Sequence, residues 1–444
     1  MIAEVPFSEL LSVVIDNRGK TCPTADAGIP LIATNCIRNE LLYPTYDKVR
    51  FVSKETYSNW FRGHPLPGDI IFVNKATPGR VCLVPDPVDF CIAQDMVAVR
   101  ANPKRVYPNY LFAVLRSPAV QEKIGQMHVG TLIPHFKKGD FDKLLLPIPE
   151  PKAQEFIGDT YFELSAKIDA NRRMNATLEA MARALFQSWF VDFDPVRAKL
   201  DGRPPAALAP ATAALFPDSF QDSPLGHIPT GWETSTIGAK LQTALGGTPS
   251  RAKPEFWTDG TVAWINSGKT NEFRIIEPSE WITKEALENS ATKLLPRRTT
   301  VLAITGATLG QVSITEIECC ANQSVVAILA SEQFPTEFIY PWIEENIEKL
   351  IASQTGGAQQ HINKGNVEEL ALLCPESRIV AAYQTKAKPL FDQISANCFQ
   401  SRTLATLRDT LLPKLLSGEL SVMDEGRQIE RATLWKPQLA PPTS

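Results

Sequence analysis

The stretch His135-Phe136-Lys137-Lys138-Gly139-Asp140-Phe141, leading to Pro149, returns as His361-Ile362-Asn363-Lys364-Gly365-Asn366-Val367, leading to Pro375, at an offset of 226 residues. The same offset carries into the segment that follows. There Leu164, Ile168, Ala170, Asn171, Thr177, Leu178 and Leu185 meet Leu390, Ile394, Ala396, Asn397, Thr403, Leu404 and Leu411. One register held over about 50 residues is the mark of a duplication. Upstream, Ile70-Ile71-Phe72-Val73-Asn74-Lys75-Ala76-Thr77-Pro78-Gly79-Arg80-Val81 parallels Val301-Leu302-Ala303-Ile304-Thr305-Gly306-Ala307-Thr308-Leu309-Gly310-Gln311-Val312 at an offset of 231. Ala93-Gln94-Asp95 then parallels Asn322-Gln323-Ser324. The chain reads as domain, helix, domain, helix.

Each repeated domain, 1–149 and 227–375, is built of short Val/Ile/Phe runs broken by Gly, Pro, Asn and Asp. That punctuation predicts short strands and turns in a mixed α/β (α+β) domain. After each domain comes a polar segment, 150–197 and 376–420, whose apolar positions alternate three and four apart. The first runs Tyr161, Leu164, Ile168, Asn171, Asn175, Leu178, Ala182, Leu185, Trp189; the second runs Ala387, Leu390, Ile394, Asn397, Ser401, Leu404, Arg408, Leu411, Leu415. A mean spacing of 3.5 lines these side chains along one seam, which needs a partner helix. The other copy is the obvious partner, and a two-fold relation between copies makes the helices antiparallel. The expected architecture is therefore two similar domains joined by two long antiparallel coiled-coil helices with pseudo-two-fold symmetry. Asn171 and Asn397 occupy matching seam positions, where a buried polar pair would fix register. Pro389 is expected to start or kink the second helix. Tyr161 to Trp189 spans about 43 Å as helix, somewhat more than one B-DNA turn of about 34–36 Å. Residues 198–226, rich in Pro and Ala, read as a linker, and 421–444 as a tail.

With 444 residues, 44% of them hydrophobic, the chain can bury full cores. The N-terminus lacks a basic region leading into an apolar stretch, and no apolar run reaches about 18 residues. These features place the protein in the cytoplasm, without a membrane role. The eight cysteines form no Cys-x-x-Cys pair and have no histidine at metal-ligand spacing, so they read as buried free thiols. Forty-five Lys and Arg against 49 Asp and Glu give a net charge of −4, which excludes a generally basic nucleic-acid binder and leaves local basic patches. Enzymatic signatures are missing. Gly19-Lys20-Thr21 and Gly268-Lys269-Thr270 have Val14 and Ala263 where a phosphate-binding loop needs glycine. There is no Asn-Pro-Pro-Tyr/Phe tetrapeptide and no His-Glu-x-x-His site, and Glu368-Glu369 reads as a solvated face.

Several motifs together resemble the specificity subunits of type I restriction-modification enzymes. They are Phe216-Pro217 followed by Leu225-Gly226-His227-Ile228-Pro229-Thr230-Gly231-Trp232; Gly306-Ala307-Thr308-Leu309-Gly310; and Leu411-Leu412-Pro413-Lys414-Leu415-Leu416-Ser417-Gly418-Glu419-Leu420. The resemblance extends to about Leu420, and in the first domain the Gly-Ala-Thr-x-Gly element is weaker, as Lys75-Ala76-Thr77-Pro78-Gly79. It implies two target-recognition domains reading the halves of a split sequence in double-stranded DNA, with the helices as a ruler for the unread gap. It also implies methyltransferase subunits on the helices and restriction (motor nuclease) subunits joining them. No catalytic residue, metal or cofactor would then belong to this chain; S-adenosylmethionine, ATP and Mg would sit on the partners.

Base edges are read by Arg, Lys, Asn and Gln, and phosphates by Lys, Arg and backbone N–H groups, from loops that vary without damaging a core. The candidate DNA contacts are Lys75, Thr77 and Arg80, with Thr305, Thr308 and Gln311 opposite them in the repeat. A second set surrounds the repeated histidine: Lys137 and Lys138 in the first copy, and Gln359, Gln360, His361 and Lys364 in the second, beside Gly356-Gly357. For His135 and His361 the competing role is structural, since a residue shared by both readers cannot explain different readings. Arg18, Lys20, Arg251 and Lys253 are weaker candidates. Two other functions compete: a self-contained DNA methyltransferase or nuclease, and a protein-binding scaffold with no DNA role.

Overall fold

Apolar runs of a few residues, stopped by Gly, Pro and Asn, become strands, and polar stretches with a three-four apolar rhythm become helices. The computed structural model describes residues 2–17, 20–127, 134–352 and 362–420. The chain divides into two compact units, Met1–Asn171 with Gln400–Ser444, and Arg172–Phe399. Each unit therefore holds one of the repeated domains and a stretch of both long helices.

The first unit contains β1 (Ala3–Pro6), β2 (Leu11–Asp16), β3 (Ile29–Ile32), β4 (Arg50–Val52), β5 (Ile70–Val73), β6 (Val81–Leu83), β7 (Cys91–Ile92), β8 (Met96–Ala101) and β9 (Leu145–Ile148). They form an antiparallel sheet in the order β2-β8-β5-β6, a sheet β4-β3-β7 whose β3–β7 pairing is parallel, and the antiparallel pair β1-β9. The second unit opens with a hairpin, β10 (Phe220–Ser223) and β11 (Gly226–Pro229). It continues with β12 (Glu233–Thr236), β13 (Thr243–Leu245), β14 (Val262–Ile265), β15 (Glu280–Ile282), β16 (Thr300–Ala303), β17 (Val312–Ile314), β18 (Cys320–Ala321), β19 (Val325–Ile328) and β20 (Ala371–Cys374). Its sheets repeat the plan: β13-β19-β16-β17, β15-β14-β18 with β14–β18 parallel, and β12-β20. The duplication read from the sequence is thus a duplication of mixed α/β topology. β5 and β16 are buried along their whole length, and their alternate side chains serve different cores, as a period of two requires. Ile70 and Phe72 join Tyr110 and Phe136, whereas Ile71 and Val73 join Phe90 and Met96.

The first long helix covers Pro151–Phe190 and the second Ser377–Ser417. Every seam residue named above is buried or half-buried. In the first unit Asn171 Nδ2 donates to Gln400 Oε1 (2.8 Å) and Ser401 Oγ (3.2 Å), and Arg408 Nη1 to Ser165 Oγ (3.3 Å). In the second, Asn397 Nδ2 donates to Asn175 Oδ1 (2.8 Å), and Phe186, Trp189 and Phe190 pack around Tyr383. Partners on one helix descend in number as those on the other ascend, so within each unit the helices run antiparallel.

Two expectations about these helices are corrected. Asn171 and Asn397 do not pair with each other; one bonds Gln400 and Ser401, the other Asn175. The second helix does not begin at Pro389 but runs through it from Ser377, which leaves a kink as the remaining form of that expectation. Pro389 and Thr385, whose carbonyl loses its N–H partner, both lie on the exposed face, where water can bond that carbonyl. The first helix ends at Phe190, and Phe193 then adopts a left-handed conformation (φ 55°) before the short helix Asp194–Leu200. Such a backbone is costly for a non-glycine residue. It is held by packing of the Phe193 ring against Phe220 and Trp232.

The domains dock on the helices by different chemistry. In the second unit Arg274, with a fully buried side chain, donates to Glu179 Oε2 of the first long helix (2.7 Å) and lies over the rings of Tyr340 and Phe391. Arg298 bridges Glu316 (3.1 Å) to Asp392 of the second helix (2.7 Å), and Ser395 donates to Glu316 (2.9 Å). In the first unit Asp159 accepts from Tyr107 Oη and Asn109 Nδ2, both at 2.8 Å. The buried Arg116 donates through Nη2 to the backbone carbonyls of Leu41 and Val81.

Candidate nucleic-acid interface

The hairpins β5–β6 and β16–β17, each at one edge of its four-stranded sheet, end in a turn clamped by the repeated loop. In the first unit Asn74 N–H donates to the Asp95 carbonyl (2.9 Å), Asn74 O accepts from Phe136 N–H (2.8 Å), and Gly79 N–H closes the turn on Val73 O (3.0 Å). In the second, Ile304 N–H donates to Ser324 O (2.9 Å), Ile304 O accepts from Ile362 N–H (3.0 Å), and Gly310 N–H bonds Ala303 O (2.9 Å). These bonds correct the alignment of the repeat. On the strands the offset is 230, pairing Asn74 with Ile304; beyond the turn it is 231, pairing Gly79 with Gly310 and Arg80 with Gln311. The second turn is one residue longer. A turn absorbs an extra residue, whereas in a strand it would flip every following side chain to the other face. Gly79 (φ 88°) and Gly310 (φ 83°) are left-handed, and a Cβ there would come within 3.0 Å of Ile124 and 2.7 Å of Ile351. Handedness and close approach both require glycine.

The candidate contacts separate on this frame. Lys75 pairs through its backbone with His135 and sets its Nζ 4.0 Å from Asp95. Thr77 Oγ1 is buried with no hydrogen-bond partner among the described residues. Thr305 caps the short turn Gly306–Thr308, and the Thr308 hydroxyl donates back to the Thr305 carbonyl (3.4 Å), so both hydroxyl residues are half-buried parts of the turn. Arg80 and Gln311 are the exposed members, at equivalent places in the two units. Lys137 and Lys138 are exposed on the clamping loop, with Lys138 Nζ 3.9 Å from Asp16. Lys364 is held by Glu368 (2.9 Å), whose Oε1 also accepts from Thr243 (2.5 Å). Glu368 is therefore a half-buried anchor, not the solvated face expected. Gln359, Gln360 and His361, with Gly356-Gly357, lie outside the described residues, as does Arg18. Arg251 is engaged by Glu280 (2.6 and 2.7 Å) and stacks 3.5 Å from the Trp257 ring. Lys253 lies over Phe256.

Sequence reading missed Arg62 and Arg100. Arg100 is anchored by two hydrogen bonds to Asp69 (2.7 and 2.9 Å), a pair 31 residues apart with no local signature. Arg62 belongs to no repeated element. Both line a cleft that Lys138 also borders.

Seven of the eight cysteines are buried and Cys398 is partly so. Burial pushes the Cys91 and Cys319 thiols up to about 12, away from nucleophilic use. Among the described residues no group of three or more His, Cys, Asp or Glu could hold a metal ion, and no helix is long and apolar enough to cross a membrane.

Comparison with known proteins places this architecture. The family model described as "Type I restriction modification DNA specificity domain" matches residues 17–180 and again 229–396. The chain is 26% identical over 399 residues to the type I restriction enzyme HindI specificity subunit of Haemophilus influenzae, covering 80% of this chain and 86% of that one. It is 23% identical over 359 residues to the MjaIX specificity subunit of Methanocaldococcus jannaschii, covering 80% and 78%. The fold is similar to the crystal structure of a type I restriction-modification S subunit from M. genitalium, with a TM-score of 0.57 and 14% identity over 94% of this chain and 96% of that one. Two copies of the family domain, mixed helix-and-sheet units and a pair of long helices make the chain a member of the type I restriction-modification DNA specificity family, a non-catalytic specificity subunit.

Proposed function

We propose that this subunit reads a bipartite target in double-stranded DNA, one half-site per repeated domain, and directs methylation and cleavage by partner subunits. The observation that carries the proposal is that one turn, built by the same backbone bonds in both units, carries the exposed residue Arg80 in one, its Nη1 3.5 Å from the Ile37 carbonyl, and the exposed residue Gln311 in the other. Arginine suits the O6/N7 edge of guanine and glutamine the N6/N7 edge of adenine, so a common scaffold with exchanged side chains is how two related readers come to prefer different bases. Lys137 and Lys138 serve the backbone in this proposal.

Specificity subunits work in a complex with other subunits and DNA. In the proposal the partners are methyltransferase subunits seated on the outer faces of the long helices, with restriction subunits joining for cleavage. Met174, Met181 and Leu407, each about half exposed there, suit such a covered surface. S-adenosylmethionine, ATP and Mg belong to those partners, and the complex acts in the cytoplasm. The test is exchange of residues 1–149 for the matching domain of a relative, followed by mapping of methylated positions. One half of the methylated sequence should change; a change in both halves, or in neither, overturns the modular reading.

A further inference from the structure

Between β2 and the segment 62–66 of the first unit lies a cleft of about 520 Å³ lined by apolar and charged side chains together. Val13, 37% exposed, and Leu66, 52% exposed, are its exposed apolar contributors. Arg62, Arg100 and Lys138 are the cationic ones, with Asp16 as the carboxylate, and Arg100 is the cross-strand partner of Val13. Arg100 is oriented by the buried Asp69, which takes its Nε and one terminal nitrogen, with the Arg100 side chain 35% exposed. Asp69 is used up by that bond. Arg62 is exposed and has no partner among the described residues. Lys138 meets Asp16 only across 3.9 Å.

We infer that this cleft holds a sugar–phosphate segment of one DNA strand, so that the first domain grips the backbone here and reads bases elsewhere. The inference rests on the DNA-binding reading above and extends the backbone role of Lys138 to a whole sequence-blind cleft. Three cationic side chains offer donors and no acceptors, which matches the all-acceptor oxygens of a phosphodiester. Val13 and Leu66 among these cations offer apolar contact to a deoxyribose ring, which inorganic phosphate lacks. Lys138 ties the cleft to the loop that clamps the reading turn. Asp16 opposes an incoming phosphate and holds Lys138 until it arrives.

The experiment uses the full chain assembled with its methyltransferase subunits, and measures affinity for target and non-target DNA against salt, together with the sequence methylated. Arg62→Gln and Lys138→Gln should each weaken both DNAs alike and lower the slope of log affinity against log salt by about 0.9 per lost phosphate contact. The methylated sequence should stay the same. Asp16→Asn should strengthen binding to both DNAs severalfold, and Lys104→Gln, an exposed lysine outside the cleft, should change nothing. An abasic deoxyribose-phosphate oligomer should compete with DNA for the wild-type complex better than for either variant, and inorganic phosphate at equal concentration should not compete. Unchanged affinity and slope in both Arg62→Gln and Lys138→Gln would overturn the inference, as would an altered methylated base pair, which would make these residues base readers. A wild-type complex that retains no target DNA would overturn the underlying reading instead.

Discussion

The two units share a fold but not the chemistry that fastens each domain to its helices. In the second, Arg274 and Glu179 form a buried ion pair and Arg298 ties Glu316 to Asp392. In the first, the helices offer Asp159 to a tyrosine and an asparagine, and Arg408 lies over the Tyr161 ring. The repeat makes the divergence explicit. Carried across by 226 residues, Glu179 falls on Ala405, Tyr161 on Ala387 and Arg408 on Ala182. These three side chains are alanines in the other copy, and Asp159 falls on Thr385. Apolar patterning keeps the topology, and the polar contacts have become private to each unit, so each domain is keyed to its own stretch of helix.

This comparison can be broken by mutation. The largest effect is expected for Glu179→Ala, which strands the buried Arg274 and should cost about 3–5 kcal/mol in chemical denaturation of the second unit. The paired replacement Glu179→Leu with Arg274→Met should recover most of that loss, because well-packed apolar groups replace buried ion pairs at little cost. Asp159→Ala in the first unit should cost less, about 1–3 kcal/mol, since it removes two hydrogen bonds from half-buried neutral partners. Equal losses for Glu179→Ala and Asp159→Ala would erase the distinction between the units. Asn171→Ala and Asn175→Ala sharpen it from the other side. Each removes a seam bond equivalent under the repeat, and both should cost about 1 kcal/mol by the same measurement.

The smallest effect depends on pH. The Thr243 hydroxyl, and then Lys364, hold the Glu368 carboxyl below its ordinary value of 4.5. A depressed acid contributes stability that is present above the unfolded value and lost as the pH falls through the folded one. Glu368→Gln should therefore cost well under about 1 kcal/mol at pH 7, given its exposure. That deficit should shrink below pH 4.5 in denaturation titrations.

What was legible in the sequence was what repeats or has a period. The 226-residue register exposed the duplication, and the three-four rhythm exposed the seam, because both are carried by local spacing. The pairing of Lys364 with Glu368 was also legible, since four residues on a helix bring opposite charges together, yet the lysine reads as a DNA contact when taken alone. The Glu179–Arg274 pair spans 95 residues and the Arg100–Asp69 pair 31, and nothing in spacing announces either. Arg62 acquires meaning only once β2 folds beside it. The extra residue in the second turn hid because Ala76, Thr77 and Gly79 match Ala307, Thr308 and Gly310 beyond the shift; only the hydrogen bonds of Asn74 and Ile304 show where the register changes.

The division into units has a consequence for synthesis. The second unit is one contiguous stretch, Arg172–Phe399, whereas the first needs Met1–Asn171 and the segment from Gln400 onward. Leu412 and Leu415 lie in the same core as Phe7 and Tyr110. As the chain leaves the ribosome, the half begun first is therefore the half finished last, and a premature stop just after residue 399 would damage the amino-terminal reader while sparing the one nearer the lesion.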